Sequence, residues 1–484
     1  MTPIARRLGM LLLACMLAAG CAREREDETV IQFWAMGREA EVVAELLPDF
    51  EREHPGLRVE VQQVPWNAAH EKLLTAFAAD ALPDVCQLGN TWVPEFAMLG
   101  ALTPLQERVE RSGVIEPSDY FSGIWEMNRI DGELVGVPWY VDTRLLFYRK
   151  DILREAGITQ PPRTWEEWRT TLATVKRHVG PERHAILVLL NEFETQLSLG
   201  LQAGDPLLRD GGRYGNFSSP GFRHALAFYA GMFERGWAPP VSETQVSNIW
   251  EEFFKGEFAF YLSGPWNIRE FRKVAPPELR DAWGTMPLPG PDGPGAGIAG
   301  GTSLVLFRDG KGHDPSRREA AWKLVEYLSR PEVQRRFYAL IGDLPPRRSS
   351  WAAPVLAEDP LAHAFRDQLE RVKPTPKVLE WERIVQAMRV TTEQVVRGGL
   401  SQEQAVRELD ARVDGILAKR RWVLEREAGR NACGSGDCAK RERRSRAEGR
   451  AACGESSRDC VLSDSEHREK ASRLPPLPRK AAAP

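Results

Sequence analysis

The residues best placed to do chemistry in this chain are aromatics set beside charges. In "GVPWYVDTRLLFYRKD" (136–151), Trp139, Tyr140, Asp142 and Arg144 interrupt an apolar, strand-like run. Trp92 follows "LGNT", and Trp266 stands in "LSGPWN", where a strand turns into a helix. The chain carries 15 tryptophans, of which Trp165, Trp168 and Trp322 fall on helical stretches and are expected in the core. The loop aromatics are different. A flat ring beside carboxylates, amides and arginines suits a pyranose, whose apolar face stacks while its hydroxyl rim meets donors and acceptors.

Other chemistries find less support. A literal G-x-G-x-x-G runs through Gly295, Gly297 and Gly300, but it follows the Pro-rich "PLPGPDGPG" and enters the strand-like "TSLVLF". A dinucleotide cradle needs a strand before the glycines and a helix after them, so a crossover loop is expected. H-E-x-x-H, G-x-S-x-G and G-x-x-x-x-G-K-[ST] do not occur, and the eight histidines show no ligand spacing. Carboxylates abound, yet nothing in the sequence places two together as a glycosidase pair requires.

The elements that must position these residues alternate. "VIQFWAM" and "LRVEVQQV" read as strands, separated by an amphipathic helix, "REAEVVAELLPDFEREHPG", that Pro48 interrupts. "WNAAHEKLLTAFAAD" is helical, "DVCQL" a short buried strand in which Cys86 serves as a small hydrophobe, and a further helix starts from Trp92. Later helices are expected at "TWEEWRTTLATVKRHV", "GFRHALAFYAGMFERG" and "NIWEEFFKGE", and strands at "HAILVLL", "EFAFYL" and "GTSLVLF". From Pro315 onward the pattern is almost wholly helical. This alternation predicts an α/β protein with largely parallel sheets in two lobes, followed by a helical C-terminal region.

The ends differ from this body. Arg6 and Arg7, the apolar "LGMLLLACMLAAG" and then Cys21 form an export signal whose apolar run is too short to span a membrane stably. Leu17, Ala18, Ala19 and Gly20 before Cys21 resemble a lipobox: residues 1–20 would be removed, Cys21 lipidated, and residues 21–28 would tether the protein to a membrane from outside. From Val423 the chain has 14 Lys/Arg against 10 Asp/Glu, whereas residues 21–422 carry a net charge of −9. An acidic body argues against a nucleic-acid surface. Within residues 423–484, Cys433, Cys438, Cys453 and Cys460 have a spacing that suits zinc or disulfides in any of three pairings. No apolar core surrounds them, so a disordered basic extension is expected.

Several segments, in order, resemble the extracellular solute-binding proteins of bacterial ABC importers, of the sugar-binding kind that includes maltose/trehalose-binding proteins. These are "IQFWAMGREAEVV", "LPDVCQLGNTWVPEFAMLGALTPL", "GELVGVPWYVDTRLLFYRKDIL", "IWEEFFKGEFAFYLSGPWNI", "AAWKLVEYLSRPEVQRRFY" and "IGDLPPRRSSW", together covering about residues 29–420. The resemblance implies a two-lobed periplasmic-binding-protein-like fold (type II). One lobe would comprise residues 29–141 and 302–345, the other residues 145–298 and 346–422. A sugar would be trapped between them and passed to permease transmembrane subunits. No catalysis, cofactor or metal is implied, and a monomer is expected.

Carried over by position, the resemblance makes Tyr140 a stacking platform, Asp142 a hydroxyl acceptor and Trp266 the second lobe's stacking ring. Gly300 and Gly301 would offer backbone groups, and Arg347 would be a cleft arginine. Gly37, Arg38, Glu39, Asn90 and Trp92 lie in loops reaching the same cleft. The chain also departs from the family's pattern. Many relatives have a tryptophan where Thr302 and Ser303 stand, and several have an aspartate near Asn90. A binding protein for another polar solute, such as glycerol phosphate, and an exported glycoside hydrolase are the alternatives.

Overall fold

The computed structural model describes residues 28–308 and 314–432. The signal segment, Cys21, nearly all of the tether and the four C-terminal cysteines lie outside the described residues. The chain divides into two compact units, Met1–Leu417 and Ala418–Pro484.

Among the described residues, nine strands form the two larger sheets of the first unit. They are β1 (Thr29–Met36), β2 (Leu57–Val64), β3 (Val85–Gly89), β4 (Val137–Asp142), β5 (Leu145–Arg149), β6 (His184–Leu187), β7 (Phe258–Ser263), β8 (Trp283–Met286) and β9 (Gly300–Leu306). One sheet has the order β2-β1-β3-β9-β4, the other β8-β5-β7-β6. β4 and β5 are consecutive in the chain but belong to different sheets, so the chain leaves the first sheet at Thr143 and Arg144 and returns to it at Gly300.

Both sheets are mixed, where largely parallel ones were expected. β1 runs parallel to β2 and β3, but β9 is antiparallel to both β3 and β4. In the second sheet β7 is parallel to β6, while β5 is antiparallel to β7 and β8. The reason lies in the connections. Only helical crossovers enforce parallel pairing, and a strand returning from another sheet is free to enter in either direction.

The inner strands of each sheet are covered on both faces and are therefore largely apolar, whereas the edge strand β2 alternates apolar and exposed polar residues. Along β1, Ile31 and Phe33 point into one core with the helices Pro315–Leu328 and Pro331–Ile341, while Trp34 and Met36 point into another with Trp66–Ala78. β5 alternates likewise, with Leu145 and Phe147 on one side and Leu146 and Tyr148 on the other. The interrupted amphipathic helix is two helices, Glu39–Ala44 and Leu47–Glu53, because Pro48 has no N–H to donate and sits in the first turn of the second. Trp165–Val179 begins with a capping box between Thr164 and Glu167. The helices Trp381–Val396 and Gln402–Ile416 pack with Glu194–Gln202 and Pro220–Glu234 in one apolar cluster beside the second sheet.

The second unit contributes one described helix, Ala418–Ala432. Residues 423–432 are thus helical, contrary to the expectation of disorder from 423. "RRWVLEREA" is rich in good helix formers, and the Arg426 guanidinium lies 4.5 Å from the Trp422 ring centroid, one turn away.

Candidate functional site

A cavity of about 810 Å³ is lined by residues at the ends of strands from both sheets and the helices that follow them. Its wall is built in three parts.

The first part surrounds Glu39, at the start of the helix that follows β1. The Tyr140 hydroxyl donates to Glu39 Oε1 at 2.7 Å and Trp66 Nε1 donates to the same oxygen at 3.3 Å. Gln87 Nε2 donates to the Tyr140 hydroxyl at 3.2 Å, and Gln87 Oε1 accepts from the Met36 N–H at 2.7 Å. Burial holds the Glu39 carboxyl above its usual range despite these bonds. Asp343, just past the helix Pro331–Ile341, lies close enough for the two charges to act on each other. Its carboxyl is raised well above the usual range by burial, then by Glu39 and Asp142, with Arg38 opposing.

The second part centres on Arg144, in the crossing between β4 and β5. Its Nη1 lies 2.7 Å from each oxygen of Asp142, its Nη2 donates to Glu194 at 2.8 Å, and Glu192 is 4.0 Å from its Nε. Burial alone would lower its affinity for its proton; Asp142, Glu194 and Glu192 outweigh that and hold it charged. Burial raises Glu192 to about 7. The Arg144 guanidinium also lies 4.7 Å from the centroid of Trp266, a cation–π contact on that ring.

"GPWN" explains why Trp266 sits there. A Cβ on Gly264 would come within 2.0 Å of the Trp266 ring, so only glycine lets the indole fold back over the backbone. Asn267 accepts from Trp250 Nε1 at 2.7 Å and donates to Ser263 at 2.9 Å and to the Gly264 carbonyl at 3.1 Å, which orients Trp250 along the same wall.

The third part joins β3 to β9. Asn90 donates through Nδ2 to the Gly300 carbonyl at 3.0 Å and accepts from the Ser303 hydroxyl at 2.9 Å, while its N–H donates to the Gly301 carbonyl at 3.0 Å. Trp92 begins the helix Val93–Met98, with its ring centroid 5.8 Å from that of Trp66. Glu382, from the helix Trp381–Val396, faces this end; burial raises its carboxyl, while Thr91, His70 and Trp92 pull the other way.

The structure brings Arg38, Glu39, Asn90, Trp92, Tyr140, Asp142, Trp266, Gly300 and Gly301 to one cavity wall. Several differ from expectation in what they do there. Tyr140 is 6% exposed and packs beside Trp139 and Phe337, so it holds Glu39 rather than offering an open ring. The carbonyls of Gly300 and Gly301 are engaged by Asn90. The glycines are needed because a Cβ on either would come within 2.3 Å of the carbonyl of Asp142 or Tyr140.

Two expectations are corrected. Arg347 does not line the cavity: its Nε donates to Asp119 at 2.7 Å and its Nη1 to the Val114 and Ser329 carbonyls at 2.8 and 2.9 Å. A buried guanidinium with its donors so committed is a structural clamp. Gly37 lies behind the wall. It adopts φ +53° and leaves room for the Trp66 indole, which a Cβ would meet at 2.7 Å. Trp139, 1% exposed against Phe33 and Phe337, is core.

The sequence reading missed Trp66, Trp250, Arg144, Glu194, Asp343, Glu270 and Glu382 as wall residues. A signal existed for Trp66, which directly follows Pro65 at the end of β2, as Trp266 follows Pro265 after the end of β7. No sequence signal distinguished Glu382 or Asp343 from the other carboxylates. Among the described residues, no group of three or more His, Cys, Asp and Glu is arranged to hold a metal ion.

Comparison with known proteins agrees with this architecture. The chain is similar to the sugar-binding protein MalE from the phytopathogen Xanthomonas citri, with 65% identity and a TM-score of 0.78 over 82% of this chain and 99% of that one. It is 25% identical to a putative binding protein of Brucella abortus over 421 residues, 85% of this chain and 97% of the relative. It is 27% identical to the diacetylchitobiose-binding protein DasA of Streptomyces coelicolor over 277 residues, 56% of this chain and 63% of the relative. Residues 37–335, more than half the chain, match the family model for bacterial extracellular solute-binding proteins, and the chain belongs to that family.

Proposed function

We propose that this protein captures a di- or oligosaccharide in the cavity between its two sheets and delivers it to the permease of an ABC importer, without catalysing a reaction. The observation that carries this reading is the composition of the wall, in which four indoles (Trp66, Trp92, Trp250 and Trp266) share one cavity with buried carboxylates. Four indoles, of which Trp66 and Trp92 pack together and Trp250 and Trp266 stand elsewhere on the wall, suit more than one sugar ring, and about 810 Å³ falls within the range of about 300–1,000 Å³ typical of small-molecule sites. The likeness to a sugar-binding MalE and to a diacetylchitobiose-binding protein supports the same ligand class.

The lobes in this reading are residues 29–141 with 302–345 and residues 145–298 with 346–422. Sugar contacts to both favour a closed form that the permease accepts. Trp266 stacks on one ring of the sugar through the face that Arg144 leaves open. Asp142, held by Arg144, accepts from a hydroxyl. The protein works outside the cytoplasm as a monomer, tethered through lipidated Cys21.

An anionic solute such as glycerol phosphate fits the wall less well. Glu39, Asp142, Glu194, Glu270, Asp343 and Glu382 face the cavity against only Arg38 and Arg144, and Arg144 is already neutralised. Titration with maltose, maltotriose and diacetylchitobiose, followed by calorimetry and by chromatography of the recovered sugar, tests the proposal. Saturable binding of intact sugar is expected, with a rise in melting temperature corresponding to about 2.7 kcal/mol at a hundredfold excess over Kd. Hydrolysed sugar, or tighter binding of glycerol phosphate than of any saccharide, would overturn it.

A further inference from the structure

The cavity wall holds several buried polar atoms without a hydrogen-bond partner, among them those of Thr143, Thr302, Glu382 and Asp343, and Asp343 is the more deeply buried of the two carboxyls. It is 8% exposed, and its Oδ2 finds no hydrogen-bond partner among the described residues. A buried carboxyl oxygen left unsatisfied is costly, and such groups persist where function needs them. Its backbone is held firmly: it follows Gly342, which ends the preceding helix at φ +95°, and precedes Leu344, whose carbonyl accepts from the Val141 N–H at 2.8 Å. The side chain is thereby fixed at the wall beside β4, next to the segment where the chain changes sheets.

Its neighbours narrow what it could receive. The hydrogen bonds that Glu39 receives from Tyr140 and Trp66 both land on Oε1 and not on Oε2. The groups acting on Asp343 are the carboxylates Glu39 and Asp142, with Arg38 alone opposing them. An anionic ligand such as glycerol phosphate would bring further negative charge to a wall already rich in carboxyls. A polyol brings O–H donors at the spacing of adjacent ring carbons and leaves the charge unchanged.

We propose that Asp343 contacts the ligand directly and sets its affinity, accepting a sugar hydroxyl through the otherwise unpartnered Oδ2 while Glu39 Oε2 accepts from a neighbouring hydroxyl. This rests on the sugar-binding reading above and assigns a residue that neither the sequence pattern nor the resemblance indicated. The signature is a conflict between stability and binding. Removing the carboxyl relieves an unsatisfied group in the empty protein but deprives the sugar of its acceptor.

The test uses the purified full chain and its Asp343→Leu and Asp343→Asn variants, melted without ligand and titrated calorimetrically with maltose, maltotriose and diacetylchitobiose. Asp343→Leu is expected to melt no lower than wild type and to bind the preferred sugar at least about tenfold more weakly. Asp343→Asn, which keeps one acceptor oxygen, is expected to lose about threefold. Should the leucine variant fail to fold, the asparagine variant decides. Wild-type affinity in the folded variants would overturn the role of Asp343 while leaving the sugar reading intact. Failure of wild type to bind any of the three sugars would remove both.

Discussion

At the scale of single residues, the site depends on one cation serving several carboxylates. Arg144 holds Asp142 and Glu194 in place and covers one face of Trp266, so its own charge is spent inside the wall and the carboxylate oxygens it leaves free define the polar surface. Trp266→Ala is therefore expected to weaken sugar binding by about 10- to 100-fold, or about 1.4–2.8 kcal/mol, while the protein stays folded. Asp142→Ala is expected to cost at least about tenfold. Calorimetry and circular dichroism on the two variants check both, and wild-type affinity in either would show that the residue lies outside the contact set. Glu192 gives a separate readout. Its carboxyl, raised by burial to about 7, keeps its proton in the folded state where an unfolded glutamate has lost it. Its contribution is fully present below the unfolded value and lost as pH rises through the folded one. The wild-type melting temperature is expected to fall between pH 5 and pH 8 relative to that of Glu192→Gln, and parallel curves would show that Glu192 titrates normally. Asp142 and Trp266 were legible from local sequence because each sits in a short motif at a strand end. Arg144 was visible in the same stretch, but its role was not, since its partners Glu192 and Glu194 lie about 50 positions away.

At the scale of elements, the close approach of β9 to β4 determines whether the wall can form. Gly301 lies at φ +104°, and a Cβ there would sit 2.3 Å from the Tyr140 carbonyl. Gly301→Ala thus meets both an unfavourable backbone conformation and a clash that the ladder cannot relieve without separating the strands. A loss of about 3 kcal/mol or more in unfolding free energy is expected, with weaker sugar binding because Tyr140 and Asp142 are both on β4. Urea denaturation monitored by tryptophan fluorescence measures it; an unchanged midpoint would mean that β9 shifts without cost. The same pairing shows why the Gly-rich loop misleads. As a string it matches a nucleotide-binding fingerprint, but Gly295 packs on Gln202, Gly297 on Thr143 and Gly300 on Asp142, so each glycine is used for close approach of other chain segments. Element types were readable from periodicity and punctuation. Strand direction was not, because it depends on which sheet a strand joins.

At the scale of the whole molecule, two sheets share one cavity because the chain changes sheets between β4 and β5 and returns at β9. If lipidation of Cys21 tethers the body, Cys21→Ala is expected to move the protein from the membrane to the soluble envelope fraction without changing sugar affinity. Fractionation followed by immunoblotting checks it, and a variant still bound to the membrane would exclude the lipid anchor. By itself the sequence determined the order of most strands and helices, though not β8 (Trp283–Met286) or the helix Glu194–Gln202, together with the break at Pro48, the acidic charge of the body and the aromatic-plus-carboxylate chemistry of the strand-end motifs. All of these are written in residues within a few positions of one another. Only the tertiary structure decided that Arg347 is a buried clamp, that Tyr140 supports Glu39 and that Asp343 lies unpartnered on the cavity wall. A side chain's burial and hydrogen-bond partners are set by groups far away in the chain: the carbonyls that fix Arg347 come from Val114 and Ser329, and the carboxyl that engages Tyr140 comes from Glu39, at the start of the helix after β1.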